Sequence, residues 1–88
     1  MDKANIKETI RSFIYETAQI TNDKITDDSL IFKDGFFDSM GFIVLISFIE
    51  EKFKISINDE NLIEENFESI NRISEFVLKK IDSSIEIQ

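Results

Sequence analysis

The amino-acid sequence predicts a small all-α protein, a four-helix bundle with three main helices and one short helix. Three segments place apolar residues three and four positions apart, which is the spacing of helices with a buried face. The chain has 88 residues, no Pro and two Gly, so only polar loops interrupt these segments. Because we find no repeat, linker or low-complexity block, we expect one domain over residues 1–88.

The first predicted helix covers residues 4–18. A long polar loop then starts near Thr21 and runs to Asp38, and we expect residues 30–32 to hold it against the core. Loops longer than about 12–15 residues are uncommon in compact domains and are often functional. The apolar stripe that predicts the helix consists of Ile6, Ile10, Phe13, Ile14 and Ala18.

The second predicted helix, residues 39–53, is the most apolar segment of the chain. Gly35 permits the turn before it, and Asp38 is a suitable N-cap because its carboxylate can accept a hydrogen bond from a first-turn amide. A helix that is apolar nearly all round is buried or presents a docking face, and in so small a domain it cannot be buried on every side. Its apolar residues are Met40, Phe42, Ile43, Val44, Leu45, Ile46, Phe48, Ile49 and Phe53.

Two further elements complete the predicted bundle. A short helix is expected over residues 58–63, capped by Asn58 or Asp59. Ser69 is a suitable cap for the last helix, and residues 83–88 are expected to form a frayed tail. The core positions expected in this part are Phe67, Ile70, Ile73, Phe76, Val77 and Ile81.

Composition and charge exclude several classes of function. The 18 acidic and 10 basic residues give a net charge of −8, which disfavours nucleic acid and anionic membranes and favours partners with basic patches. Since the sequence has neither a membrane-span-length apolar run nor a secretory signal, we expect a cytoplasmic protein without stable membrane insertion.

The absence of Cys and His removes disulfides, thiolate and imidazole metal ligands and the usual general base. We therefore expect no bound metal and a protein that is acted upon instead of an enzyme.

Ser39 is the candidate functional residue. The long loop delivers this serine, exposed, to the start of the most apolar helix, where free amides and the positive end of the helix dipole favour a phosphate. Serine is also a common residue at helix starts, so Asp38-Ser39 alone favours a structural role. The combination of loop, turn and apolar helix is what points to a function.

The order and spacing of several segments resemble the acyl carrier proteins. The central motif of that family, Asp-Ser-Leu or Asp-Ser-Met after a Gly-containing turn, is matched by Gly-Phe-Phe-Asp-Ser-Met at residues 35–40. The acidic residues and Phe that end the family's apolar helix are matched at residues 50–53. Residues 57–60 resemble the start of the family's short third helix, and residues 62–70 its passage into the last helix. The resemblance spans nearly the whole chain, is strongest over residues 30–77, and implies the acyl-carrier fold.

The resemblance also implies a carrier function. A phosphopantetheinyl transferase would attach 4′-phosphopantetheine from coenzyme A to the Ser39 hydroxyl, and the thiol of this arm would carry acyl or aminoacyl cargo as a thioester. Asp38 would cap the helix and, by family analogy, contact the magnesium that the transferase uses. The other implied partners are an adenylating ligase or acyltransferase and a downstream synthase or transferase, and we expect a monomer.

The resemblance implies docking and cargo residues near the arm. Fatty-acid carriers have acidic residues two and five positions after the serine, where this chain has Gly41 and Val44, so a more apolar docking face is expected. Phe42 and Phe48 are candidates to line a pocket for acyl cargo, with ordinary core packing as the alternative. The candidate docking residues are Met40, Gly41, Val44, Glu50 and Glu51.

Other interpretations stay open. Residues 38–41, with Ile43 and Leu45, also resemble D-alanyl carrier proteins, so an aminoacyl carrier is the alternative to a carrier of a specialised fatty-acid, polyketide or other secondary pathway. An unmodified acidic interaction module would dock through the apolar helix without needing Ser39. A calcium protein is disfavoured because residues 23–35 lack the EF-hand spacing and its closing Glu. A carboxylate-based enzyme is disfavoured by the absence of His.

Overall fold

Helices make up the regular structure of the part of the chain that the structure describes. A computed structural model describes residues 2–18 and 25–87, and no strand occurs within them. The three main helices and one short helix confirm the predicted all-α bundle. The elements are α1 (Lys3–Ala18), α2 (Ser39–Phe53), a 3₁₀ turn (Asp59–Asn61), α3 (Glu64–Phe67) and α4 (Ile70–Ile87).

The boundaries of α1 and α2 agree with the sequence, whereas two later boundaries differ. The short helix expected over residues 58–63 is only a 3₁₀ turn, and α3 follows it. Leu62 leaves the helical region at φ −84°, ψ 62°, and Ile63 is extended at φ −112°, ψ 149°, so a separate helix starts after them. The expected tail is also wrong for residues 83–87, because α4 continues to Ile87 through a segment without Pro or Gly. Gln88 lies outside the described residues.

One hydrophobic core lies between α1, α2 and α4 and is closed by α3 and by the segment before α2. Helix α1 packs mainly against α4, and α2 contacts both. Phe13 and Ile81, expected in the core, are only partly buried at its edge. Within the described residues, none of the helices combines the length and apolar character that crossing a lipid bilayer requires. The fully buried apolar side chains are Ile6, Ile10, Ile14, Ile31, Leu45, Ile49, Ile70, Ile73 and Val77, with Phe67 at 1% exposure.

Five Phe rings form a row of edge-to-face contacts through this core, which we call the aromatic row. Its centroid distances are 6.0 Å from Phe37 to Phe32, 5.5 Å from Phe32 to Phe42, 5.5 Å from Phe42 to Phe67 and 5.1 Å from Phe67 to Phe76. Such pairs contribute about 0.5–1.5 kcal/mol each beyond the area that they bury. The row therefore connects the segment before α2 to α4.

The segment before α2 is tied to the neighbouring helices from residue 25 onward. Of residues 30–32, which were expected to hold it, Ile31 is fully buried and the other two are half-buried. The Ile31 N–H donates to the Glu68 carbonyl at 2.9 Å. Arg11 of α1 donates two hydrogen bonds to the Asp27 carboxylate, at 3.0 Å from Nε and 2.8 Å from Nη2. These contacts fix the path of the chain toward Ser39.

Asp27→Asn is expected to lower the free energy of unfolding by about 1 kcal/mol at neutral pH. The hydrogen bonds from Arg11 hold the pKa of the Asp27 carboxyl below its ordinary value. A carboxyl with a lowered folded pKa stabilises the protein above its unfolded pKa of about 3.9, and the stabilisation is lost as the pH falls through the folded value. Urea unfolding should therefore show that the difference in unfolding free energy between wild type and Asp27→Asn is smaller near pH 3 than near pH 7.

The control for this experiment is Asp34→Asn, which changes an exposed carboxyl of the same loop. We expect it to change the unfolding free energy by less than about 0.5 kcal/mol at both pH values. A difference for Asp27→Asn that stays constant between the two pH values would contradict the assigned role of the ion pair.

Candidate functional site

The turn before α2 brings Ser39 to the surface. Gly35 has φ +85°, in the left-handed region that Gly adopts without steric strain. The N–H groups of Phe36 and Phe37 then both donate to the Ile31 carbonyl, at 2.9 and 3.0 Å. The chain straightens at the next residue, and α2 begins with an exposed Ser39.

Asp38 is the N-cap of α2. Its Oδ1 accepts a hydrogen bond from the Gly41 N–H at 2.9 Å, and its carbonyl accepts one from the Phe42 N–H at 2.9 Å. The first amides of any helix lack intrahelical acceptors and mark the positive end of its dipole. A phosphate ester on the Ser39 oxygen would therefore lie where the backbone favours negative charge, so the residues present fit a phosphate-linked group.

An open, mainly apolar groove of about 440 Å³ begins at Ser39. It lies between the first half of α2 and residues 62–67, and three rings of the aromatic row contribute to it. An extended flexible chain that starts at Ser39 can lie in this groove and remove its apolar atoms from water. The lining residues are Phe32, Asp38, Ser39, Phe42, Ile43, Leu62, Ile63, Glu64 and Phe67.

Large apolar side chains are exposed next to Ser39. In the part of the chain that the structure describes, exposure among them ranges from 38% at Leu62 to 67% at Met40. Clustered exposed apolar side chains mark surfaces that contact other molecules. Four exposed carboxylates belong to the adjoining residues 59–65 and give this surface an acidic border. We define the apolar patch as Met40, Ile43, Val44, Leu62 and Ile63.

The predicted docking residues divide between the surface and internal contacts. Gly41 is half-buried against the Phe37 ring. Glu50 is also half-buried, and its Oε2 accepts a hydrogen bond from the Ile57 N–H at 2.9 Å. Glu50 therefore fastens the chain that returns after α2, a contact that the sequence did not predict. The three predicted docking residues that face solvent are Met40, Val44 and Glu51.

The structure separates the two Phe residues that were candidates for one cargo pocket. Phe42 borders the groove at Ser39 and contacts Phe32 and Phe67 of the aromatic row. Phe48 stacks on Phe13 of α1 with 4.1 Å between centroids and borders a different groove. A separation of six residues rotates a side chain by about 240° around a helix. Of these two residues, only Phe42 therefore borders the groove in which a group attached to Ser39 can lie.

Six residues that line the groove were not identified as site residues from the sequence: Phe32, Ile43, Leu62, Ile63, Glu64 and Phe67. Ile43 follows Ser39 by four positions, which places both on one face of α2. Leu62 and Ile63 are an apolar pair between Asn61 and Glu64, and such a pair is expected to be buried. Their exposure depends on the break between the 3₁₀ turn and α3, which the sequence did not reveal.

Two of the acidic residues that prompted the calcium interpretation, Asp27 and Asp28, have protein partners. Asp27 is bonded to Arg11, and the Asp28 carboxylate accepts a hydrogen bond from the Asn71 side chain. Within residues 2–18 and 25–87, no three Asp, Glu, His or Cys side chains are grouped closely enough to hold a metal ion.

Comparison with known proteins shows what this chain is similar to. The family profile described as "Phosphopantetheine attachment site" matches residues 8–77. The acyl carrier protein of Buchnera aphidicola subsp. Acyrthosiphon pisum (strain Tuc7) is 34% identical over 76 residues, which cover 86% of this chain and 92% of that protein. The acyl carrier protein of Buchnera aphidicola subsp. Baizongia pistaciae (strain Bp) is 34% identical over 77 residues, or 88% and 96% of the two chains. That of Akkermansia muciniphila is 29% identical over 79 residues, or 90% and 96%. The profile match includes Ser39, the groove and the whole apolar patch.

Proposed function

Because the chain belongs to the acyl carrier proteins, whose cofactor is covalently attached 4′-phosphopantetheine, we propose that Ser39 bears this arm. The observation that carries the proposal is the position of Ser39, which is exposed at the first residue of α2 and opens onto an apolar groove. The attached arm supplies a terminal thiol that holds acyl or aminoacyl cargo as a thioester. A chain without Cys obtains its thiol in this way.

The residues around Ser39 hold and present the arm. Asp38 fixes the first turn of α2 through its bond to Gly41, and it is also our candidate for contact with the magnesium of the transferase. Phe42 and Ile43 offer apolar surface along the groove, which is open to solvent on one side. Cargo in the groove is thus partly covered and still accessible to enzymes. Since the sequence has no His to act as a general base, we propose a carrier and not an enzyme.

We propose that partner enzymes dock on the apolar patch beside Ser39. The patch supplies contact area, and its acidic border and the net charge of −8 favour partner surfaces with basic groups. The partners are a phosphopantetheinyl transferase, an adenylating ligase or acyltransferase that loads cargo, and a downstream synthase or transferase. Glu51 is available to such partners, whereas Glu50 is engaged by Ile57.

We place the carrier in a specialised fatty-acid, polyketide or other secondary pathway, as a single cytoplasmic domain over residues 1–88. Val44 supports this proposal, because this exposed apolar residue of α2 stands where fatty-acid carriers have an acidic residue. Gly41 also lacks the acidic side chain of those carriers, although it is half-buried against the Phe37 ring. An aminoacyl carrier of the D-alanyl type is the alternative and rests on the resemblance of residues 38–41, with Ile43 and Leu45, to D-alanyl carrier proteins.

The test is to incubate the full chain with coenzyme A, Mg²⁺ and a broad-specificity phosphopantetheinyl transferase. Intact mass spectrometry is expected to show a gain of one phosphopantetheinyl group. Cleavage after Lys33 and Lys52 gives residues 34–52, which contain both Ser39 and Ser47, so fragmentation must place the group on Ser39. A folded protein that several transferases leave unmodified would refute the proposal and favour the unmodified interaction module.

A further inference from the structure

A close contact joins two residues that flank Ser39. Phe37 precedes the serine by two positions, Gly41 follows it by two, and the Phe37 ring lies against the backbone of Gly41. A Cβ on Gly41 would be 3.0 Å from Phe37 Cδ2 and 3.2 Å from Cγ. Carbon atoms in ordinary van der Waals contact are about 3.5–4.0 Å apart. Any side chain at position 41 therefore requires the ring to move by several tenths of an ångström.

Both partners of this contact are fixed by other bonds. Phe37 is 6% exposed, its N–H donates to the Ile31 carbonyl at 3.0 Å, and its ring contacts Phe32 in the aromatic row. The Gly41 N–H donates to the Asp38 carboxylate at 2.9 Å. Only residues 38–40 lie between the two anchored positions. The contact therefore limits the directions in which the chain can enter α2.

We propose that the contact between Phe37 and Gly41 positions Ser39 for attachment of the arm, an inference that rests on the proposed function. Phe37 and Gly41 are then positioning residues, since they act through the backbone on either side of the serine. Gly destabilises the interior of a helix relative to Ala. The close approach of the Phe37 ring explains why position 41 lacks a side chain. This explanation does not require Gly41 to contact a partner enzyme.

The test is a double-mutant cycle of arm transfer with the full chain as substrate of a phosphopantetheinyl transferase. Gly41→Ala should displace the ring and lower kcat on the order of tenfold with KM nearly unchanged, because small misplacements of reacting groups are costly. Phe37→Leu alone should also slow transfer, because the contact is lost. The combined variant has room for the new Cβ and should transfer faster than Gly41→Ala, so that the two changes are non-additive. Ser47→Ala, on the exposed side of the same helix, should keep wild-type kinetics.

A second readout does not depend on the transferase. In the unmodified protein, Gly41→Ala should shift the amide NMR signals of residues 38–40, and the combined variant should return them toward their wild-type positions. Urea unfolding should show that the free energy of unfolding of Gly41→Ala is close to that of wild type. Slow arm transfer by this variant would then report a misplaced Ser39 and not a loss of folded protein.

Several results would overturn the inference. One is wild-type kinetics of arm transfer in Gly41→Ala. Another is a rise in KM alone in Gly41→Ala, which would indicate a docking contact. A third is a loss of kcat in Gly41→Ala that the added change Phe37→Leu does not relieve. Unchanged amide signals in Gly41→Ala would overturn it as well. A wild-type chain that accepts no arm refutes the proposed function instead, and the amide signals still decide whether the contact sets the conformation around Ser39.

Discussion

Ser39→Ala is expected to abolish arm attachment, so that intact mass spectrometry detects no phosphopantetheinyl group where wild type gains one. The variant lacks the oxygen through which the phosphodiester is formed. Ser39 is an exposed residue in the first turn of α2, where Ala is readily accommodated, so the unfolding free energy should change by less than about 0.5 kcal/mol. A complete loss of attachment in a folded variant would then show that the arm is attached to the Ser39 hydroxyl.

The matched control is Ser47→Ala, which removes an exposed hydroxyl two turns farther along α2 and should be modified as completely as wild type. Ser39→Thr keeps a hydroxyl but adds a methyl group, and we expect it to be modified more slowly than wild type. Attachment to Ser39→Ala at the wild-type level would show that another hydroxyl accepts the arm.

Phe67→Ala is expected to lower the free energy of unfolding by about 3–5 kcal/mol. A domain of this size has a total stability of about 4–13 kcal/mol, so the loss would be a large fraction. The Phe67 ring is 1% exposed and contacts Phe42 and Phe76 within the aromatic row. Helix α3 has only four residues, and one helical turn is not stable without tertiary contacts. Urea unfolding followed by circular dichroism measures the change.

Two variants calibrate this expectation. Phe67→Leu fills most of the space and should cost less than about 1.5 kcal/mol. Phe48→Ala removes a half-buried ring that stacks on Phe13 at the edge of the core, and it should cost less than Phe67→Ala. A cost below about 1 kcal/mol for Phe67→Ala would show that α3 is held by contacts other than this ring.

The main helices could be predicted because each is specified by local signals. The apolar spacing of α1 and α4 and the cap at Asp38 act within a few residues of the chain, and the Ser69 Oγ accepts a hydrogen bond from the Arg72 N–H at the start of α4. The position of α3 could not be predicted, since a one-turn helix depends on where Phe67 reaches the core. The first part of the expected long loop, residues 21–24, lies outside the described residues.

The candidate site was predictable to a similar extent. The place of Ser39 at the start of α2 follows from the turn at Gly35 and the cap at Asp38. The separation of Phe42 from Phe48 depends on how α2 is rotated against α1, which spacing within one helix does not determine. The bond from Ile57 to Glu50 depends on the return of the chain after Lys54, whose φ of 58° is unusual for a residue with a side chain.

The apolar patch has a consequence for concentrated solutions of the protein. Self-association of identical copies through the patch would bury these five side chains. A charge of −8 on every copy opposes that approach, with a range of about 10 Å at 0.1 M salt and about 3 Å at 1 M. The same charge attracts a basic surface over the same range. Electrostatic repulsion between copies therefore keeps the apolar patch accessible to solvent, and a basic protein surface, which is attracted instead, can still reach it.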